Sequence, residues 1–227
     1  MKKILIEALE KNIQLSKSKL VIQSFGNLSI RIDNDLIAIK PSGVKLTEIN
    51  QNDIAVVDLN GNHTSGLKPS VDTPTHTYLY KNYPDINSIV HTHSMYATSW
   101  AQSLMSIPPL GTTHADYIKG ELPCTRPLRR EEIEKDYEEN TGIVIKETIQ
   151  NRGLEVNQLP GILVGSHGVF SWGFDSSNAL NNAEIIEYTS MLAYQSKSLD
   201  PKIKPIEKFL NEFHFNRKHG SNGYYGQ

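Results

Sequence analysis

The chain has little of what a secreted, membrane-spanning or nucleic-acid-binding protein needs. A single cysteine, Cys124, stands among 227 residues. No intrachain disulfide can form, which fits a reducing compartment, and Cys124 reads as a small buried residue. No uninterrupted apolar run approaches the roughly 20 residues of a membrane span. The apolar run Ile4-Leu5-Ile6 behind Lys2-Lys3 is too short for a secretory signal. A cytoplasmic location with no membrane partner is the expectation. Neither sign of charge dominates: 23 Lys and Arg face 25 Asp and Glu, for a net charge of −2 and a pI near 6.4. That balance argues against a nucleic-acid partner, but it leaves room for a local cationic pocket that takes a small anion. A dinucleotide fingerprint, an internal repeat and a low-complexity linker are also missing, so one domain spanning residues 1–227 is expected.

What is present is a mixture of helical and strand patterns. Leu5, Leu9 and Ile13 recur at four-residue intervals with Ile4 and Ala8 beside them, so residues 2–19 read as an amphipathic helix. Residues 28–32 and 36–39 flank Asp33-Asn34-Asp35 and predict a hairpin. Residues 54–59 read as a strand ending at the turn signal Asn60-Gly61. Asp72-Thr73-Pro74 reads as a helix entry, with the helix running to Tyr83-Pro84. Residues 86–93 give the clearest strand. Residues 131–150 predict a helix whose apolar face carries Ile133, Tyr137, Val144, Ile145 and Ile149. Residues 161–164 read as a buried strand, Asp175 as the cap of a helix reaching about residue 196, and a terminal helix follows residues 200–205. Helices mixed with strands imply an α/β domain whose sheet is covered by helices.

His91-Thr92-His93 carries the strongest chemical signal. Side chains two apart on a strand share a face, so two imidazoles can chelate one ion. His167, at the end of the run Gly161-Ile162-Leu163-Val164, supplies a third nitrogen. Three histidines with an open position describe a catalytic metal site, with zinc the first choice. The plainer reading is histidines that merely fall close in sequence.

Around them, Gly26-Asn27, Lys40, Pro41-Ser42-Gly43 and Pro69-Ser70 offer backbone amides, hydroxyls and a positive charge. They form a phosphate cradle only if they converge in space; each alone is an ordinary turn. Asp72 reads as a helix N-cap, and equally as a carboxylate beside a metal. Asp116 reads as a solvated loop aspartate, or as a general acid–base group. His214, Arg217, Lys218 and His219 complement a helix end, or serve an anionic substrate. Tyr224 and Tyr225 lie in what would ordinarily be a flexible tail.

Taken together, these segments resemble the class II aldolase/adducin family, most closely its L-ribulose-5-phosphate 4-epimerase members. The resemblance runs through Gly26-Asn27-Leu28-Ser29, Lys40-Pro41-Ser42-Gly43, Lys68-Pro69-Ser70-Val71-Asp72-Thr73-Pro74-Thr75-His76 and His91-Thr92-His93-Ser94. It continues through Gly111-Thr112-Thr113-His114-Ala115-Asp116-Tyr117, Pro123-Cys124-Thr125-Arg126, Ser166-His167-Gly168, Arg217-Lys218-His219-Gly220 and Tyr224-Tyr225-Gly226-Gln227. It implies a single domain with a mainly antiparallel or mixed sheet under helices on both faces. It implies one Zn2+ per subunit on His91, His93 and His167, with Asp72 at or beside it. Phosphate binding is implied around Gly26, Asn27, Lys40, Ser42, Gly43, Ser70 and Val71, with His214 and Arg217 also serving substrate, and proton transfer by Asp116 and Tyr225. Val71 departs from the serine of family epimerases and removes a hydroxyl. Asp72 follows the epimerase pattern, whereas related aldolases tend to carry glutamate there. A cyclic homotetramer with sites between subunits is also implied.

The implied substrate is a phosphorylated ketopentose, L-ribulose 5-phosphate, converted to D-xylulose 5-phosphate. Its C4 carries no acidic proton because the carbonyl is at C2. Inversion therefore needs retro-aldol cleavage of C3–C4, rotation of the glycolaldehyde phosphate fragment and re-addition. The alternatives are a sugar-phosphate aldolase that releases its aldehyde, a zinc-hydroxide hydratase and a non-catalytic adducin-like module.

Overall fold

Asp33 turns the chain between its first two strands: its Oδ1 accepts the backbone N–H groups of Asp35 and Leu36, both at 2.9 Å. The computed structural model describes residues 1–23, 25–220 and 223–224. Helix α1 (Lys2–Lys17) precedes the hairpin of β1 (Asn27–Arg31) and β2 (Leu36–Ile39). Strands β3 (Ala55–Asp58) and β4 (His63–Ser65) extend it, and α2 (Thr73–Asn82), β5 (Ser88–Thr92), α3 (Met95–Gln102) and α4 (Thr112–Ala115) follow. The chain closes with α5 (Arg130–Asn151), β6 (Gly161–Val164), β7 (Gly168–Gly173), α6 (Ser176–Leu199) and α7 (Lys208–His219). The strands make one sheet in the order β4-β3-β2-β1-β5-β7-β6. Every neighbouring pair is antiparallel.

Alternation along the strands gives the sheet two buried faces. Ile37, Ile39 and Ile89 point to one side, where Leu79 and Tyr80 of α2, Trp100 of α3 and Ile145 and Ile149 of α5 cover them. Leu28, Ile30, Ala38 and Val90 point to the other, against Ala8 and Leu15 of α1 and Ala179, Leu180 and Ala183 of α6. Each fully buried leucine or isoleucine contributes about 1.5–3 kcal/mol of apolar burial. Cys124 is buried, as expected. No helix among the described residues is long and apolar enough to cross a membrane.

The structure corrects several expectations. Strand β5 stops at Thr92, so His93 lies just beyond it rather than within it. Strands β4 and β7 and helix α3 had no counterpart in the sequence reading. Strand β7 is buried along all six residues and shows no alternation, so a period of two could not mark it. Helix α3 lacks a side-chain cap of its own; Glu187, on α6, accepts the N–H groups of Tyr96 and Ala97, both at 2.9 Å. Ile133 is exposed and Tyr137 only half-buried, because α5 breaks at Asp136 and its first turns leave the core.

Candidate functional site

Strand β5 is buried throughout and lies between β1 and β7, with His91 paired across to Asn27 on one side and Phe170 on the other. The His91 ring stacks on Phe170 at 4.2 Å between centroids, and its Nδ1 donates to the Val169 carbonyl at 3.0 Å. That bond fixes the tautomer and leaves Nε2 with a free lone pair. His93 Nε2 stands 3.1 Å from it.

His167 reaches the same place from the β6–β7 hairpin. Its N–H bonds the Val164 carbonyl at 3.0 Å, and Ser166 takes φ 62° in the position where such turns favour glycine. The adjoining Gly168 lets β7 lie close to β5: a Cβ there would sit 2.6 Å from the Thr92 carbonyl oxygen. The His167 ring consequently lies 4.9 Å from that of His91 and 5.0 Å from that of His93.

One ligand nitrogen from each of the three falls within 4.8 Å of the others. Three nitrogens on a tetrahedral zinc stand roughly 3.4 Å apart, so this donor set fits a divalent ion. Burial lowers all three imidazoles, His91 to about 4 and His167 to about 3, which keeps those two neutral and ready to ligate at neutral pH. His93 is exposed, and the cluster opens to solvent on that side.

Asp72 stands at the entry of α2, but its side chain makes no cap. Its Oδ2 instead accepts from Asn27 Nδ2 at 2.6 Å and from Ser70 Oγ at 3.4 Å. Burial works to raise this carboxyl; the pull of His91 and His76 and the Asn27 bond outweigh it and hold the group below the usual range. Three separate loops meet at this point. Ser42 N–H donates to the Lys68 carbonyl at 2.8 Å, Ser70 N–H to the Lys40 carbonyl at 3.1 Å, and Asn27 Nδ2 to Ser70 Oγ at 3.2 Å. Lys40 is buried, which lowers its ammonium while Asp72 opposes the shift. Gly26 (φ 91°) cannot be replaced without a clash, since a Cβ would meet Val21 at 2.6 Å and the His91 carbonyl oxygen at 2.9 Å. Gly43 also has positive φ, and Val71 is exposed. A cavity of about 450 Å³ bordered by Phe25, Gly26, Lys40 and Lys45 adjoins these loops.

Asp116 belongs to a second group and is not a solvated loop residue. It is buried, and its carboxylate accepts from His214 Nδ1 at 2.9 Å and from Arg217 at 3.0–3.1 Å. His219 bonds the Asp116 carbonyl at 2.8 Å. Tyr117 and His219 share a cavity of about 580 Å³ with Asp85, Ile86, Trp172 and Gly173, at the entry to β5 and the exit of β7. The three histidines cluster at the other end of that strand pair, which spans roughly 14 Å. The structure thus brings His91, His93, His167, Asp72, Asn27 and Ser70 into one neighbourhood and places Asp116, His214 and Arg217 in another. Tyr225 lies outside the described residues.

His76 escaped the sequence reading. It is fully buried four residues after Asp72, with Nδ1 2.7 Å from Ser29 Oγ, and desolvation lowers it to about 3. The four-residue spacing on one helical face was the available signal.

The model of the class II aldolase and adducin N-terminal domain family matches residues 7–194. The chain belongs to that family. Its fold is that of an L-fuculose 1-phosphate aldolase, with a TM-score of 0.76 at 24% identity over 94% of this chain and 96% of the other. YgbL from Klebsiella pneumoniae, a candidate aldolase/epimerase/decarboxylase, superposes with a TM-score of 0.74 at 23% identity over 93% of this chain and 97% of that one. The L-fuculose-1-phosphate aldolase from Thermus thermophilus gives 0.68 at 20% identity, over 88% and 99%. This class II aldolase family member carries its three-histidine cluster on β5, just past the end of β5 and on the β6–β7 hairpin.

Proposed function

We propose that the chain is a zinc-dependent L-ribulose-5-phosphate 4-epimerase, working as one catalytic domain over residues 1–227 in the cytoplasm and as a homotetramer. One observation carries this reading: a three-histidine cluster shares its neighbourhood with an aspartate tied to Asn27 and Ser70, where glutamate would be the aldolase pattern. His91, His93 and His167 hold the ion, with Asp72 beside them. A divalent ion held there supplies Lewis-acid charge to the ketose oxygens.

Asn27, Ser42, Gly43, Ser70 and the Val71 amide grip the phosphate, and Lys40 supplies positive charge. That grip keeps the aldehyde fragment bound while its carbonyl turns. Asp116 and Tyr225 move the proton of the C4 hydroxyl, one from each face. Arg217 and His214 hold the Asp116 carboxylate in place for that task. Because the Asp116 group lies at the far end of β5 from the histidines of its own chain, Asp116 and Tyr225 serve the metal centre of a neighbouring subunit.

A second reading, a sugar-phosphate aldolase, draws on the fold neighbours that bear that name. It shares the C3–C4 cleavage and differs in releasing the aldehyde. Incubation of zinc-loaded protein with L-ribulose 5-phosphate separates the two. The epimerase yields D-xylulose 5-phosphate; accumulation of free glycolaldehyde phosphate would establish the aldolase instead.

A further inference from the structure

Helix α5 is broken. Asp136 leaves helical geometry at φ −136° and ψ 68°, so residues on either side run as two segments. The break is braced. Arg126 bonds Glu132 before it at 2.7 and 2.8 Å and Glu147 after it at 2.8 Å. Asn140 Nδ2 donates to the Glu132 carbonyl at 2.9 Å across the same point. Thr75 of α2 bonds the Glu138 carbonyl, which ties the second segment to the helix that begins beside Asp72.

Tyr137 is the first residue past the break. Its hydroxyl lies 3.4 Å from His167 Nδ1, with the rings 5.8 Å apart. We propose that Tyr137 is a positioning residue for the metal centre, with its hydroxyl oxygen accepting a hydrogen bond from His167 Nδ1–H and fixing the direction in which that ring presents its other nitrogen. A metal-binding histidine ordinarily donates its second ring nitrogen to an outer partner that sets tautomer and ring angle. His91 finds that partner in the Val169 carbonyl on its own sheet. His167 sits on a hairpin turn with no carbonyl so placed among the bonds of the described residues, and its partner comes from α5. An unbroken helix at Asp136 would direct residue 137 elsewhere, and the Arg126 brace holds the break at a fixed angle.

This inference rests on reading the three histidines as a divalent-cation site. The test is Co2+ titration of metal-stripped protein in competition with a chromogenic chelator, for the parent and for Tyr137→Phe. The variant keeps the ring and loses only the hydroxyl. The parent is expected to bind one Co2+ per chain, and Tyr137→Phe to bind about 10-fold more weakly. Its visible absorption band should also shift, while the melting temperature of the metal-free protein stays the same. Equal affinity and superimposable spectra would overturn the role of Tyr137 alone. Absence of Co2+ binding by the parent would overturn the metal site and this proposal together.

Discussion

His91 is held from three directions: stacked on Phe170, bonded to Val169 and facing His93. Removing one neighbour should therefore leave the fold and abolish the chelate. His93→Ala and His167→Ala are expected to lose zinc retention and turnover, as checked by metal analysis of the purified variants. Tyr225→Phe should fold normally and turn over roughly 10²–10⁴-fold more slowly at saturating substrate, the usual contribution of a proton-transfer group. An unchanged rate would remove Tyr225 from the reaction. At this scale the histidine cluster was legible, because two of its members are two residues apart and the third closely follows a buried strand. The environment of Asp116 was not. Its partners His214 and Arg217 lie 98 and 101 residues further on, a separation no local pattern records.

Among the elements, the β6–β7 hairpin does most to position the site, and the sequence showed only its first strand. Strand β7 is hidden from periodicity by burial on both faces, and α3 by a cap that arrives from Glu187 in α6. Helices α1 and α6 were legible because their apolar spacing or cap is local: Asp175 Oδ1 accepts from Asn178 N–H at 2.7 Å, as expected. The hairpin also tolerates little change at its glycines. A Cβ at Gly161 would lie 2.4 Å from the Phe170 carbonyl oxygen and 2.8 Å from the Ser171 Cα, both backbone atoms that cannot swing away. Gly161→Ala should cost about 1–3 kcal/mol through forced displacement of β7. Urea unfolding of the metal-free protein measures this, and a midpoint equal to the parent's would show that β7 gives way freely.

For the whole molecule, buried imidazoles set the response to acid. Desolvation lowers His76 and His167 to about 3, and His91 and His114 to about 4. The unfolded chain titrates these groups near 6.5, so between 6.5 and about 4 it binds more protons than the folded one. Their contribution to stability is full above about pH 6.5 and is lost as the pH falls toward 4. Melting temperatures of metal-free protein should decline steeply from pH 6.5 to 5; a flat profile would mean that these rings are not buried as described.

The separation of Asp116 from the histidines within one chain has a consequence for assembly. If sites form between subunits, mixing His93→Ala and Asp116→Asn proteins, each inactive alone, should restore activity in the hybrids. Hybrids as inactive as their parents would place both groups at one site in one chain.

The proposed chemistry depends most on a single ion shared by three imidazoles. Anomalous diffraction at the zinc edge, from crystals of the protein loaded with zinc, locates that ion directly. The predicted result is one peak per chain at about 2.0–2.1 Å from nitrogens of His91, His93 and His167. Zinc bound elsewhere, with these three rings turned to other partners, would contradict it.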